Sequence, residues 1–270
     1  MAEDCKHLIP AQRREQLVHK LRQEGGVLSV RQLMDLLGVS HMTVRRDIAT
    51  LEREGLAHSI PGGVRLGSNL RHEPAFPAKM ESERSQKTAI AAAAAKLVHD
   101  DMVIYLDAGT TTGALVPLLL DRRCLTVITN DFAIVDALMM SACAIDVIHV
   151  GGHVELKNHS TVGHFAADML RQLSCDLAFI STSSWDLSRG ITTPSESKVA
   201  VKLAAIESSS SATLLATSSK FGQFGTYKIS PLQRFDRVIT DDGLSPAAAQ
   251  GIRDVGVVID CVPVAEVGAA

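Results

Sequence analysis

From Ser29 to Leu51 the chain holds two short amphipathic segments separated by one tight break, and few folds accommodate that arrangement. Ser29 offers an N-cap, and Val30, Leu33, Leu36 and Leu37 fall three or four apart, which predicts a first helix with one buried face. Gly38 can take the positive φ that ends this helix, Val39 fills the angle, and Ser40 caps a second helix. There Val44, Ile48 and Leu51 recur at i, i+4 and i+7 and face inward, which leaves His41, Thr43, Arg45 and Arg46 on the exposed first turns. Such a pair is a helix-turn-helix, whose second helix enters the major groove of duplex DNA by its N-terminal end. Arginine suits that place, because its planar fork grips guanine or a phosphate oxygen at two points. On an arbitrary amphipathic helix Arg45, Arg46 and Asp47 would read as a solvated face with local ion pairs. The turn and its flanks favour DNA.

Upstream, Ile9, Leu17 and Leu21 belong to an amphipathic helix around Arg13-Arg14-Glu15-Gln16, expected to supply the third face of a small helical core. Downstream, Gly55 to Leu66 reads as two short strands joined by Pro61-Gly62-Gly63, which makes a wing. Residues 1–66 resemble the winged helix of DeoR-type bacterial transcription regulators, and Val39 to Ile48 matches that family's recognition run, Val-Ser-x-x-Thr-Ile-Arg-Arg-Asp-Leu. The expected contacts to double-stranded operator DNA are Ser29, Ser40, His41, Thr43, Arg45 and Arg46. The family commonly carries a basic residue a few positions before Gly-Gly, where this chain has His58-Ser59-Ile60-Pro61. Arg65 or a protonated His58 is expected to serve the wing instead.

The 270 residues allow a domain of this size and a larger one. Through Leu66 there are ten Lys and Arg against eight Asp and Glu, and beyond it seventeen against twenty-two. The first domain is thus only mildly basic, so DNA binding must rest on where the arginines sit and not on bulk attraction. Cys5, Cys124, Cys143, Cys175 and Cys261 are scattered and odd in number, with no C-x-x-C pair, which suggests neither a disulfide framework nor a metal site. The start of the chain is charged from Glu3 to Lys6, and Ala89 to Val98 is too short to span a bilayer. A reducing cytoplasm and no membrane partner are expected.

Gly67 to about Ser82, with Asn69, Pro74 and Pro77, breaks both periodicities and reads as a linker over 67–83. Beyond it, strands and helices alternate. Strands are expected at Met102–Leu106, Leu125–Ile128, Ile145–Val150, Leu177–Ile180, Thr213–Ala216, Val238–Thr240 and Val255–Ile259. Helices are expected at Ala89–Val98, Gly113–Leu120, Phe132–Met140, His164–Leu173, Lys198–Ser208 and Pro246–Asp254. This predicts a Rossmann-like α/β domain over 84–262 with a mostly parallel sheet, followed by a flexible tail over 263–270.

Open α/β sheets bind ligands at the carboxyl ends of their strands. Asp107-Ala108-Gly109-Thr110-Thr111-Thr112 follows one such strand and opens a helix, where close backbone, hydroxyls and the helix N-terminus favour a phosphate or carboxylate. An ordinary strand-to-helix turn with capping threonines explains the run equally well. Thr129-Asn130-Asp131, Gly151-Gly152 and Ser181-Thr182-Ser183-Ser184-Trp185 end further strands, while Glu196 and Lys220 lie on other loops. In isolation, Glu196 is a helix-start acid and Lys220 a surface lysine.

Residues 84–262 also resemble the C-terminal sensor domain of the DeoR family, similar in fold to ribose-phosphate isomerases and glucosamine-phosphate deaminases. The matching runs are Leu106 to Thr112, Thr129-Asn130, Val150-Gly151-Gly152, Gly190 to Glu196 and Ser218 to Phe221. The resemblance implies a cleft for a phosphorylated sugar or sugar acid. In it Gly109 and Thr110 to Thr112 would hold phosphate, Asp107, Thr129 and Asn130 would meet hydroxyls, and Gly152, Ser181, Ser183, Glu196 and Lys220 would complete the lining. Where many relatives carry a Gly-Ala-Ser-Gly type loop this chain has Ser181 to Trp185, and where they often carry Asp it has Thr217. The serine-rich loop and Ser40 to Arg46 resemble the YgbI-like branch, which implies a setting in four-carbon sugar-acid catabolism. The chain therefore reads as a homo-oligomeric (dimeric or tetrameric) repressor of a carbohydrate or sugar-acid operon, without catalytic residues, cofactor or metal. The competing reading is a sugar-phosphate isomerase or deaminase with an accessory domain, with Asp107, His149, Asp186 or Glu196 as its base; none stands in an identifying spacing.

Overall fold

A computed structural model describes residues 8–24, 26–60, 62–141 and 143–265. Cys5, Pro61 of the wing turn and residues 266–270 of the expected tail lie outside them.

The first domain runs α1 (Pro10–Gln23), β1 (Val27–Ser29), α2 (Val30–Leu37), α3 (His41–Arg53), β2 (Ala57–Ile60) and β3 (Gly63–Leu66). Leu17, Leu21, Leu33, Leu37, Val44, Ile48, Leu51 and Val64 form its core. Two expected core positions differ. Leu36 lies on the outer side of α2 at 38% exposure, and Ile9 precedes α1 as its N-cap at 59% exposure. The wing has a third strand, because β1 pairs antiparallel with β3, Leu28 opposite Val64. Gly63 permits this approach, since a Cβ there would stand 2.5 Å from the Leu28 carbonyl oxygen.

The expected linker is ordered structure. β4 (Ser68–Asn69) leads to α4 (Phe76–Glu81), and the second domain follows with α5 (Arg84–Ala94) and β5 (Val103–Leu106). Next come α6 (Thr110–Gly113), α7 (Val116–Leu119), β6 (Thr126–Thr129), α8 (Phe132–Met140) and β7 (Asp146–His149). A hairpin, β8 (His153–Glu155) and β9 (Ser160–Val162), precedes α9 (His164–Leu170) and β10 (Cys175–Ser181). The remainder is β11 (Ser184–Asp186), β12 (Gly190–Thr193), α10 (Ser197–Glu207), β13 (Ser209–Leu215), β14 (Gln223–Phe224), β15 (Tyr227–Ser230), β16 (Arg237–Asp241), α11 (Pro246–Asp254) and β17 (Val258–Val262).

Seven strands form one parallel sheet in the order β17-β16-β13-β10-β5-β6-β7. Alternate residues feed two cores: Ile104 and Leu106 pack with Ile90, Leu115 and Ile134 on one face, and Tyr105, Ala178 and Ile180 pack with Ala167, Val201 and Ile252 on the other. From β5 the chain builds outward through β6 and β7, then crosses back to β10 on the opposite side of β5. The carboxyl ends of β5 and β10 are therefore the switch point at which such sheets hold ligands.

Several boundaries differ from the sequence reading, among them that α5 starts at Arg84, α9 ends at Leu170 and β13 starts at Ser209. The expected helix Gly113–Leu120 is two short helices, with Pro117 in the first turn of the second. Residues 95–97 leave α5 as a 3-10 turn. The last strand starts at Val258 and not Val255, because Val255 caps α11 and Gly256 leaves the helix at φ +84°.

Candidate functional site

The start of α3 stands open. Ser40 caps it by accepting from the Thr43 amide at 3.3 Å, and its hydroxyl lies 3.0 Å from the Thr43 hydroxyl. His41, Arg45 and Arg46 are exposed. Ser29 caps α2 reciprocally with Gln32, at 2.8 and 3.2 Å. Two buried carboxylates fix the pose of α3. Asp47 is buried and takes both Nε and Nη2 of Arg13 from α1, the latter at 3.1 Å. Glu52 is buried and accepts from the Ser59 amide at 2.8 Å, which ties α3 to β2, and burial pushes its carboxyl up.

The two wing residues offered to DNA point elsewhere. His58 is 2% exposed and edge-on to Phe221 of the sensor domain, with ring centroids 5.1 Å apart. Burial lowers it to about 4, so it is a neutral packing group and not a protonated phosphate contact. Arg65 donates to the Ser219 carbonyl at 3.0 Å. Both corrections have one cause, the docking of the winged helix on the sensor.

At the switch point lies a narrow cleft lined by Asp107, Gly109 and Asn130 and by Lys79, Asn158, Ser160, Lys198 and Lys202. Of the sequence-derived set, only Asp107, Gly109 and Asn130 belong to this lining. Their bonding differs from expectation. Asp107 is buried in an ion pair with Lys202 and accepts the Ser181 amide at 2.8 Å and hydroxyl at 2.9 Å. Asn130 accepts from the Tyr105 hydroxyl at 2.8 Å and the Ala108 amide at 2.9 Å, and donates to the Thr161 carbonyl at 2.8 Å. The Gly109 amide donates to Asp131 at 3.0 Å. Burial raises Asp131 to about 6 against the backbone donors it receives.

The loop thus spends its expected anion donors internally. The Thr112 hydroxyl donates to the carbonyls of Asp107 and Gly109 at 2.6 and 2.7 Å, Thr111 is buried, and Thr110 reaches the Lys79 carbonyl only at 3.5 Å. Thr129 is fully buried and donates to the Leu106 carbonyl at 2.7 Å. Gly152 is exposed, and its Cα is confined because a Cβ would stand 3.0 Å from Ala166. Ser183 is half-buried, and Glu196 is exposed at the start of α10; neither lines the cleft. Lys220 donates to the Thr182 carbonyl at 2.9 Å, and burial lowers it to about 8 despite nearby Glu73 and Glu83.

Three ammonium groups, Lys79, Lys198 and Lys202, line the cleft instead. Lys198 and Lys202 stand four apart on α10, one helical turn, and so share a face; that spacing was readable in the sequence. Lys79 comes from α4, which the reading as a plain linker concealed. Lys79 donates to Glu73 at 2.9 Å and to Asn158 at 2.7 Å, and Lys198 also binds Glu73. Burial lowers Lys79 against the pull of Glu73, whereas Glu73, which burial alone would raise, is held down to about 2 by Lys198 and Lys79. With Asp107 and Glu73 counted, the cluster keeps one positive charge in excess, which suits an anion.

Residues 13–69 match the DeoR-like helix-turn-helix domain and residues 82–242 the DeoR C-terminal sensor domain. The chain belongs to the DeoR family of transcriptional regulators. It is 45% identical over 246 residues to the uncharacterized HTH-type transcriptional regulator YgbI of Escherichia coli K12, covering 91% of this chain and 95% of that one. An uncharacterized HTH-type transcriptional regulator of Haemophilus influenzae is 43% identical over 252 residues, 93% of this chain and 97% of the relative. The putative aga operon transcriptional repressor of Escherichia coli O157:H7 is 31% identical over 249 residues, 92% of each. As a DeoR regulator the chain joins a DNA-binding head to a small-molecule sensor and is not an enzyme. Among the described residues, none of the helices is long and apolar enough to cross a membrane.

Proposed function

We propose that this regulator is a cytoplasmic repressor of a carbohydrate or sugar-acid catabolic operon, and that a phosphorylated sugar or sugar acid in the sensor cleft releases it from operator DNA. The convergence of Lys79, Lys198 and Lys202 on one cleft at the β5/β10 switch point carries this reading. Three ammonium groups facing two carboxylates favour a doubly charged phosphate over a neutral sugar. Ser160 and Asn158 in the same lining offer polar partners to hydroxyls or a carboxylate. The YgbI-like resemblance implies a four-carbon sugar-acid setting for such an effector. On the DNA side, Ser40, His41, Thr43, Arg45 and Arg46 read the major groove, and Ser29 approaches the backbone. One head carries little net charge, so two copies on repeated half-sites supply the affinity, in a dimer or tetramer.

Full-length protein, with its mass in solution measured by light scattering, is titrated against fluorescent duplexes tiling the promoters of its own and adjacent genes, at moderate salt, and challenged with sugar phosphates and four-carbon sugar-acid phosphates. Tight binding to one tile, reversed by one compound, supports the reading. Equal weak binding to every tile, or binding that no phosphorylated compound reverses, overturns it.

A further inference from the structure

Glu73 is a carboxylate of the interdomain segment inserted into the cationic cluster of the sensor. Its Oε1 accepts from Lys79, its Oε2 accepts from Lys198, and both lysines line the cleft. The side chain is only 14% exposed. Glu73 also sits between the two attachments of its segment. On one side β4 pairs parallel with β14, and the Leu70 amide donates to the Phe224 carbonyl at 2.8 Å. On the other, Phe76 stacks on His159 at 4.7 Å, and Lys87 caps the end of α4 through the carbonyls of Lys79 and Ser82. An ammonium has three donors, and Lys79 already divides its own between Glu73 and Asn158. A phosphate entering the cleft therefore competes with Glu73 for the same two ammonium groups, and the two anions also repel through a poorly screened interior.

We propose that Glu73 is a built-in competitor of the effector: its carboxylate holds Lys79 and Lys198 until an anionic ligand claims them, and its release frees the segment 67–83 that carries the winged helix. This rests on the cleft being the effector site. It adds the way in which occupancy reaches the DNA-binding head, since a ligand shifts the two states only by the difference in its affinity for them. Opposite neighbours of the carboxylate fit the same role: Lys220 lies near enough to feel its charge, and the turn holding Lys220 also holds Ser219 and Phe221, which touch the wing.

The test uses full-length protein and inorganic phosphate. Calorimetric titration of wild type and Glu73→Gln is expected to give at least tenfold tighter phosphate binding in the variant. Trypsin cleavage after the exposed Arg71 is expected to accelerate at least fivefold in wild type at saturating phosphate, normalised to a peptide substrate. Equal phosphate affinity in the two proteins, or a wild-type cleavage rate indifferent to bound phosphate, overturns the proposal; the cleavage arm needs no variant, so misfolding of Glu73→Gln does not protect it. Phosphate binding by neither protein, or binding unaffected by Lys198→Ala, removes the cleft as an anion site and takes the proposal with it.

Discussion

His58 of the wing and Phe221 of the sensor meet edge to face, with ring planes at 84°. Phe221 in turn stands edge-on to Trp185, at 4.8 Å, and the Trp185 indole donates to the Thr217 carbonyl at 3.2 Å. Through Phe221 the wing is thus linked to the serine-rich run from Ser181 to Trp185, whose first residue, the last of β10, bonds Asp107 in the cleft. Three rings and one turn connect the DNA-binding head to the floor of the ligand site.

The contact sets a pH dependence. His58 is neutral when folded, at about 4 against 6.5 when unfolded, with desolvation outweighing Asp186 and aided by Arg65 and Arg189. Its share of stability is complete above pH 6.5 and is lost as the pH falls towards 4, because the unfolded chain takes up the proton first. At about 1.4 kcal/mol per unit the loss is ~3 kcal/mol. Urea unfolding of wild type and His58→Leu between pH 7 and 4 checks this: the variant should be less sensitive to acid by that amount, and parallel curves would contradict it.

Gly222 makes the contact possible. It sits at φ +79°, and a Cβ would stand 1.7 Å from the His58 ring. Gly222→Ala should cost about 3 kcal/mol through overpacking and an unfavourable backbone angle. In the double variant His58→Ala/Gly222→Ala, ~1 to 2 kcal/mol should return as coupling between touching residues. Thermal unfolding followed by the single tryptophan, Trp185, reports both. Strict additivity of the two changes would show that the collision is not what the alanine suffers.

What was legible in the sequence was local. Helices α8 and α11 were read to the residue because Asp131 and Ser245 cap them, accepting from Ala133 and Ala248 amides. The two helices around Gly38, at φ +64°, were legible for the same reason. The segment 67–83 was misread because Pro74 and Pro77 look like breakers. Pro77 in fact falls in the first turn of α4, where its missing N–H costs no hydrogen bond. The small sheet β11-β12-β15 escaped because its strands are three or four residues long and pair across the chain. In the cleft, the strand-end position of Asp107 was readable, but its partner Lys202 lies 95 residues away. No spacing rule announces such a pair, and without it Asp107 looked free to bind a hydroxyl.

Separation along the chain also hides the brace of the recognition helix. Asp47 is 2% and Arg13 13% exposed in their side chains, 34 residues apart. Asp47→Ala strands the Arg13 guanidinium in a poorly solvated place and should cost about 3 kcal/mol, more than a surface pair would. Arg13→Ala/Asp47→Ala should recover part of the loss. Thermal unfolding of the four proteins measures the cycle, and a cost under about 0.5 kcal/mol for Asp47→Ala would show the pair to be an ordinary surface contact.

With His58 and Arg65 facing the sensor, the wing contributes less charge to DNA than its relatives' basic wings are expected to, and α3 must do more. Arg45 and Arg46 are exposed, so replacing either by Ala should leave the melting temperature within the error of surface substitutions. Their effects on DNA should separate. An arginine on a base edge costs about 1 to 3 kcal/mol at its own base pair and relaxes preference there, whereas one on a phosphate weakens all sequences alike and lowers the salt slope by about 1. Anisotropy titrations on the preferred duplex and on a scrambled one, at several salt concentrations, assign each arginine to one class. His58→Leu should leave the slope unchanged, because a neutral buried imidazole neutralises no phosphate. A slope that falls in His58→Leu would mean that the wing undocks on DNA and exposes the ring, so that the docked arrangement belongs to the released regulator alone.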